Sequence, residues 1–251
     1  MDPTTQRMIH GGGSLGQFEQ VFDTPGTYSW ICPEGVTSVS IVAVGGPGFD
    51  DTIQSSFTTQ VIAYSAGGNY VGTGGGRGGS GGLASSTSGF RQAGGGGGGA
   101  GGYTGNGGDG SDGFGTSGSG SRVGGAGGGV GLYGQGPSGS GGVITAGTSS
   151  FNRADDGSGG GGGGGSGAYS TSFLTVSGRN GGTGSPSVYG NSSGTSRARL
   201  NAESGGSLAW KNNISVTPGN SYQVKVASGG AVRIIWPGNV RQFPSTNVNF
   251  F

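Results

Sequence analysis

Little in this chain can build an ordinary core or an ordinary active site. Leu, Ile, Val and Phe together number 44 of 251 residues, a share at which high net charge would mean disorder. Charge is scarce as well: 12 Lys and Arg against 11 Asp and Glu leave a formal charge of +1. That balance supplies neither the basic stripe of a nucleic-acid binder nor the polybasic segment of a membrane-surface protein. The single cysteine, Cys32, excludes an internal disulfide. The single histidine, His10, excludes a histidine-rich metal site and stands in no pattern with a nucleophile or carboxylate. The 9 prolines are too few for collagen, and no strict Gly-X-Y period runs along the chain. No apolar run is long enough to span a bilayer as a helix. Met1 to Gly16 lacks the basic-then-apolar pattern of a signal peptide.

Glycine is what the chain has, at 69 of 251 residues. The apolar residues avoid it. Leu, Ile, Val and Phe make up 9 of the 27 residues in 18–44 and 8 of the 29 in 208–236, but only 14 of the 124 in 67–190, where glycine reaches 53. The chain therefore has two core-forming ends around a glycine-rich middle.

Both ends read as β. Val39, Ile41 and Ala43 alternate with Ser38, Ser40 and Val42; Tyr222, Val224 and Val226 alternate with Gln223 and Lys225. Val232, Ile234 and Trp236 alternate with Arg233 and Ile235. This is the period of two that a strand imposes. Thr24-Pro25-Gly26-Thr27 and Thr217-Pro218-Gly219-Asn220 fit type II turns, with Pro presetting φ and Gly accepting a positive one. They predict two hairpins, 18–22 with 28–31 and 214–216 with 221–226, packed on each other. Pro-Glu-Gly at 33–35 and Pro-Gly-Asn at 237–239 end two more strands.

The middle carries glycine runs at 74–76, 94–99, 127–129 and 161–165. A flexible linker is one account. A linker of that length inside one domain is exceptional, and the spaced aromatics Phe90, Tyr103, Phe114, Tyr133, Phe151, Tyr169, Phe173 and Tyr189 argue for order. The alternative is a bundle of polyproline-II-like glycine helices, three residues per turn, whose outward N–H and C=O groups bond to neighbouring helices. Segments between runs would then form loops at the bundle ends. The expected fold is mostly β: a small β-sandwich of N- and C-terminal strands enclosing a bundle of polyglycine-II-like helices and loops. Its parts are an attachment segment (1–17), N-terminal strands (18–45), the glycine-rich region (46–206), C-terminal strands (207–240) and a tail (241–251).

Several patterns that suggest chemistry fail on context. Gly105-Asn106-Gly107-Gly108-Asp109-Gly110 fits G-x-G-x-x-G, but neither a strand before it nor a helix after it is expected. Gly107 to Gly115 fits one calcium nonapeptide, G-G-x-G-x-D-x-U-x, without the stacked copies such sites need. Asp109 and Asp112 are therefore expected in a solvated loop. Asp50-Asp51 and Asp155-Asp156 are adjacent pairs, which on an extended chain point apart rather than converge across a cleft as in a glycosidase. Cys32 beside Pro33 reads as a buried small apolar residue.

Two stretches carry a family likeness. Tyr28-Ser29-Trp30-Ile31-Cys32-Pro33-Glu34-Gly35-Val36-Thr37-Ser38-Val39-Ser40-Ile41-Val42-Ala43-Val44-Gly45-Gly46 resembles the W-x-x-P-x-G-V-T-x-V opening of glycine-rich domains in bacteriophage tail-fibre proteins. Gly229-Gly230-Ala231-Val232-Arg233-Ile234-Ile235-Trp236-Pro237-Gly238, with Arg241-Gln242-Phe243-Pro244-Ser245-Thr246-Asn247, resembles the closing segment of phage virion proteins of that kind. The resemblance implies a non-enzymatic virion protein, a tail-fibre or tail-tip adhesin, whose loops meet the host surface. Residence in the virion, release by lysis and a homo-oligomeric state go with it. The implied partners are a host receptor, either a glycan or an outer-membrane protein, and other virion proteins. Nucleic acid, membrane insertion, metal and cofactor are not implied. Candidate receptor contacts are Phe90, Arg91, Tyr103, Phe114, Phe151, Arg153, Tyr169 and Phe173. Rings give contact area at low side-chain entropy cost, and arginines give bidentate contacts to anionic groups. Any of these rings could instead cap the glycine bundle. A non-adhesive decoration, neck or fibre-joint subunit is the competing class. An ice-binding glycine-helix protein is a third, for which regular ranks of threonine or alanine are missing.

Overall fold

The computed structural model describes residues 18–48, 50–83, 92–93, 97–112, 127, 129–132, 138, 169–170, 204–245 and 248, with 92–93 and 169–170 described by backbone alone. The strands in chain order are β1 (Phe18–Phe22), β2 (Gly26–Ile31), β3 (Ser38–Val44), β4 (Gln54–Phe57), β5 (Val61–Tyr64), β6 (Tyr70–Val71), β7 (Gly74–Gly76), β8 (Gln92–Ala93), β9 (Tyr169–Ser170), β10 (Leu208–Ser215), β11 (Ser221–Val226) and β12 (Ala231–Trp236). There is no α-helix among the described residues.

Ten of these strands form two antiparallel five-stranded sheets. The first runs β1-β12-β3-β10-β7 and the second β2-β11-β4-β5-β6, while β8 and β9 pair separately. The two chain ends share the first sheet, as their alternating patterns predict. Glu19 pairs with Ile235, Ile41 with Ile234, and Ala43 with both Val232 and Ala209.

The inward faces of the two sheets meet in one apolar cluster. Val39, Ile41, Ala43, Val232, Ile234 and Trp236 come from the first sheet, and Trp30, Phe57, Val61, Val224 and Val226 from the second. Trp30 lies at its centre, within 5.8–6.0 Å of the Phe57, Tyr222 and Trp236 ring centroids. Such offset and tilted ring pairs add to the gain from burial. The positions between the inward ones on β3, Val42 and Val44, are also buried, in a second cluster on the far side of the sheet. A strand buried on both faces reads as a nearly unbroken apolar run, and β3 has that sequence.

The two predicted hairpins are not hairpins. β1 and β2 lie in different sheets, as do β10 and β11. Each Thr-Pro-Gly link carries the chain across the core. Phe22 and Tyr28 then face one another with ring centroids 5.2 Å apart, rather than lying side by side on one sheet. The second turn has the expected geometry: Asn220 N–H donates to Thr217 O over 3.1 Å, with Gly219 at φ 78°. Its role is an inter-sheet corner. The first link ends where Gly26 opens β2.

Residues 46–76 differ from expectation as well. Assigned by sequence to the glycine-rich region, they supply β4, β5 and β6 to the second sheet and β7 to the first. The described glycine segments also lie outside the two sheets rather than enclosed by them. Ala100, Tyr103, Val130 and Leu132 pack on Val42, Val44, Leu208 and Ile235, on the outer face of the first sheet.

Candidate functional site

The glycine-rich layer starts where β7 leaves the sheet. Leu208, Ala209 and Trp210 pair with Gly76, Gly75 and Gly74, and the Trp210 indole covers Gly74. A β-carbon on Gly74 would lie 2.6 Å from Trp210 Cζ2. Trp210 Nε1–H donates to Tyr103 O over 2.7 Å, tying the sheet to the next glycine segment.

Beyond β7 the contacts repeat every three residues. β-Carbons built on Gly76, Gly79 and Gly82 would sit 1.9, 2.0 and 2.1 Å from the carbonyl oxygens of Gly105, Gly108 and Ser111. Those on Gly98 and Gly101 would sit 1.9 and 2.1 Å from the oxygens of Gly79 and Gly76. No side chain fits in such gaps, so these positions are closed to every residue but glycine. Segment 97–102 is bonded on several sides: Gly79 N–H to Gly99 O at 2.8 Å, Gly99 N–H to Gly108 O at 2.9 Å, Gly101 N–H to Gly206 O at 2.9 Å and Gly127 N–H to Gly97 O at 2.7 Å. A strand in a sheet has neighbours on two sides only. This segment bonds to 79, 108, 127 and 206.

The surface of the layer carries two rows of side chains, Arg77, Ser80 and Leu83 in one and Asn106, Asp109 and Asp112 in the other, all exposed. The acidic row explains the calcium-like motif. Asp109 Oδ1 accepts the Ser80 N–H at 2.7 Å and Asp112 Oδ1 the Leu83 N–H at 2.7 Å. The two carboxylates point at backbone donors one triplet apart rather than at a common centre. The same residues are solvated, as expected, but serve the backbone beside them. No group of three or more His, Cys, Asp or Glu is placed to hold a metal ion among the described residues. The G-x-G-x-x-G stretch, 105–110, lies within this layer with neither strand nor helix at its ends.

Of the eight candidate receptor contacts, Phe90, Arg91, Phe114, Phe151, Arg153 and Phe173 lie outside the described residues. Tyr169 is described by its backbone alone, paired with Ala93. Tyr103 is 2% exposed. Its ring stacks on Phe243 at 5.8 Å and its hydroxyl donates to Leu132 O over 3.2 Å. Of its two roles weighed above, Tyr103 takes the packing one. The glycine run at 161–165, His10 and the pair Asp155-Asp156 also lie outside the described residues.

Sequence reasoning missed a buried ionic cluster. Glu19 on β1 receives Arg233 of β12 through Nε at 3.0 Å and Nη2 at 2.5 Å, and Arg241 lies 3.7 Å away. Arg233 Nη2 also donates to Val248 O over 3.1 Å, and Arg241 Nη1 to Phe18 O over 2.8 Å. Burial lowers the Arg241 pKa from its ordinary value, the Glu19 carboxylate opposes that, and Arg233 adds to it. The cluster ties the segment after β12 to β1, the edge strand beside it. A signal was present in the sequence, since Glu19 and Arg233 each interrupt an apolar strand.

Two further groups are perturbed. Asp50, in one of the adjacent acid pairs, accepts the Thr52 hydroxyl at 2.6 Å and the Thr52 N–H at 2.8 Å, which lowers its pKa. Cys32 is buried as expected, and burial raises its thiol pKa. Comparison of the chain with protein-family models, curated proteins and solved structures finds no match.

Proposed function

We propose that this chain is a structural protein of a bacteriophage virion, a tail-fibre or tail-tip adhesin. In this proposal its glycine segments pack as polyglycine-II-like helices against a two-sheet base. The observation that carries the proposal is the triplet repeat of the layer. Inward glycines recur at every third residue, and backbone bonds leave a single segment toward several neighbours. Three residues per turn is the period of a polyproline-II helix, and roughly 9 Å is its rise over that span. A scaffold whose interior is backbone leaves the side chains of its connecting loops free for recognition. The segments bearing Phe90, Arg91, Phe114, Phe151, Arg153, Tyr169 and Phe173 are assigned that role here. The resemblance of residues 28–46 and 229–247 to phage virion proteins supplies the setting: a virion location, other virion proteins as neighbours, a homo-oligomer, no enzymatic activity and no cofactor.

A second reading has its own support. Tyr103 is a candidate contact that packs inside the layer. A chain in which every loop ring did the same would be a non-adhesive neck, decoration or fibre-joint subunit.

The full chain, fluorescently labelled, is incubated with intact cells of a panel of bacteria. The adhesin reading expects saturable binding to at least one strain. It also expects loss of that binding in Arg91→Ala/Arg153→Ala with melting unchanged. Binding to no strain, together with density for the chain between other proteins of a particle, establishes the structural-subunit reading instead.

A further inference from the structure

The most regular feature of the layer is used by nothing described so far. Arg77 N–H donates to Asn106 Oδ1 over 3.0 Å, and Arg77 O accepts the Gly107 N–H at 2.8 Å. Three residues on, Ser80 N–H donates to Asp109 Oδ1 over 2.7 Å and Ser80 O accepts the Gly110 N–H at 2.8 Å. Three further on, Leu83 N–H donates to Asp112 Oδ1 over 2.7 Å. Each side-chain bond spans 29 residues. An Asx-Gly pair thus holds the donor and the acceptor of one residue on the neighbouring segment, and the unit recurs in Asn106-Gly107-Gly108-Asp109-Gly110-Ser111-Asp112.

Glycine segments have an alignment problem. A backbone without side chains looks the same after a slide of one triplet, and glycine-rich strands are weakly specified in register for that reason. The Asx row removes the equivalence. A slide of three residues one way leaves Leu83 N–H without an acceptor. A slide the other way puts Tyr103 where Asn106 stands and draws its ring off Phe243. A slide of one residue presents Gly107, Gly110 and Gly113 to the three donors one way, and Gly105, Gly108 and Ser111 the other, so no Asx side chain faces them.

We infer that Asn106, Asp109 and Asp112 form a register key, which selects one alignment of segment 105–112 on segment 76–83 among those the glycine backbone alone would accept. The inference rests on hydrogen bonds and spacing and is independent of any virion role.

Amide hydrogen exchange on the full chain tests it. In Asn106→Ala/Asp109→Ala/Asp112→Ala, protection falls about tenfold at Ser80 and Leu83, the worth of one charge-assisted bond at each, and several-fold at Arg77, which loses a neutral one. Protection falls also at Gly107 and Gly110, whose donors touch no altered side chain, because the alignment itself is lost. Asp109→Asn/Asp112→Asn keeps an acceptor oxygen at each place and holds all five amides within about threefold of the parent. Parental protection of Gly107 and Gly110 in the triple variant overturns the proposal. So does a loss in the Asn variant equal to that in the triple variant. Should the triple variant not fold, Asp109→Ala decides. Keyed alignment expects loss at Ser80 with Gly107 held by the outer two residues, and an unchanged Ser80 amide overturns it.

Discussion

Gly98→Ala is a sharp perturbation of the glycine layer. The added methyl would lie 1.9 Å from Gly79 O and 2.4 Å from Gly79 C, whereas ordinary van der Waals contact begins at 3.4 Å. The two backbones must therefore part by about 1.5 Å, the difference between those distances. Segment 97–102 cannot retreat freely, because it is bonded to Gly108, Gly127 and Gly206 on its other sides. The shift breaks the Gly79–Gly99 bond and strains or breaks one opposite it. Two buried bonds lost at about 1–3 kcal/mol each are offset by about 0.4–1 kcal/mol from stiffening the unfolded chain. The net loss is about 1–6 kcal/mol, centred at about 3 kcal/mol, which for a chain of this size lowers Tm by about 10 °C. Gly35→Ala is the control: nothing lies within 4 Å of its β-carbon, and only a φ of +77° resists the methyl, at about 1–2 kcal/mol. Differential scanning calorimetry of both variants reads the comparison. A Gly98→Ala protein that melts no lower than Gly35→Ala refutes backbone contact as the packing principle of the layer.

Arg233→Met leaves the Glu19 carboxylate buried with Arg241, at 3.7 Å, as its one cation among the described residues. The expected loss is about 3–5 kcal/mol by urea titration, and a loss below about 1 kcal/mol contradicts a structural role for the cluster. Cys32 should react with a thiol reagent at pH 8 more slowly in the native chain than in urea, since burial shields its thiol and holds its pKa above the ordinary 9.0. Because the folded pKa is raised, the associated stability is fully present below pH 9.0 and is lost as pH rises through the folded value. Cys32→Ala should flatten that alkaline loss in urea titrations, and an equally steep loss in the variant would assign it to other groups.

The period-two alternation on β3, β11 and β12 was legible because one face of each strand must be apolar, and that face is the one found between the sheets. The partner of each strand was not legible. Thr-Pro-Gly dictates a reversal of direction, but whether the chain returns beside itself or crosses the core depends on what Phe22 and Tyr28 pack against. That is a tertiary matter. β4 and β5 went unread because Ser55, Ser56 and Ala63 are small and carry little periodic signal, though all three are buried. In the glycine layer the triplet spacing of Asn106, Asp109 and Asp112 was visible in the sequence. It reads as a solvated loop that fits a single calcium nonapeptide, because the residues that accompany it, 77, 80 and 83, carry no matching side-chain pattern. Their backbone does the pairing.

The order in which the first sheet is assembled has a consequence for synthesis. β1 leaves the ribosome well before its partner β12, with 214 residues separating Glu19 from Arg233. At about 5–20 residues per second, β1 waits roughly 10–40 s as an unpaired edge. β3 waits almost as long for both β10 and β12. A product truncated before residue 231 leaves β1 without a partner and β3 with one side open. Unpaired strand edges of that kind are prone to aggregation.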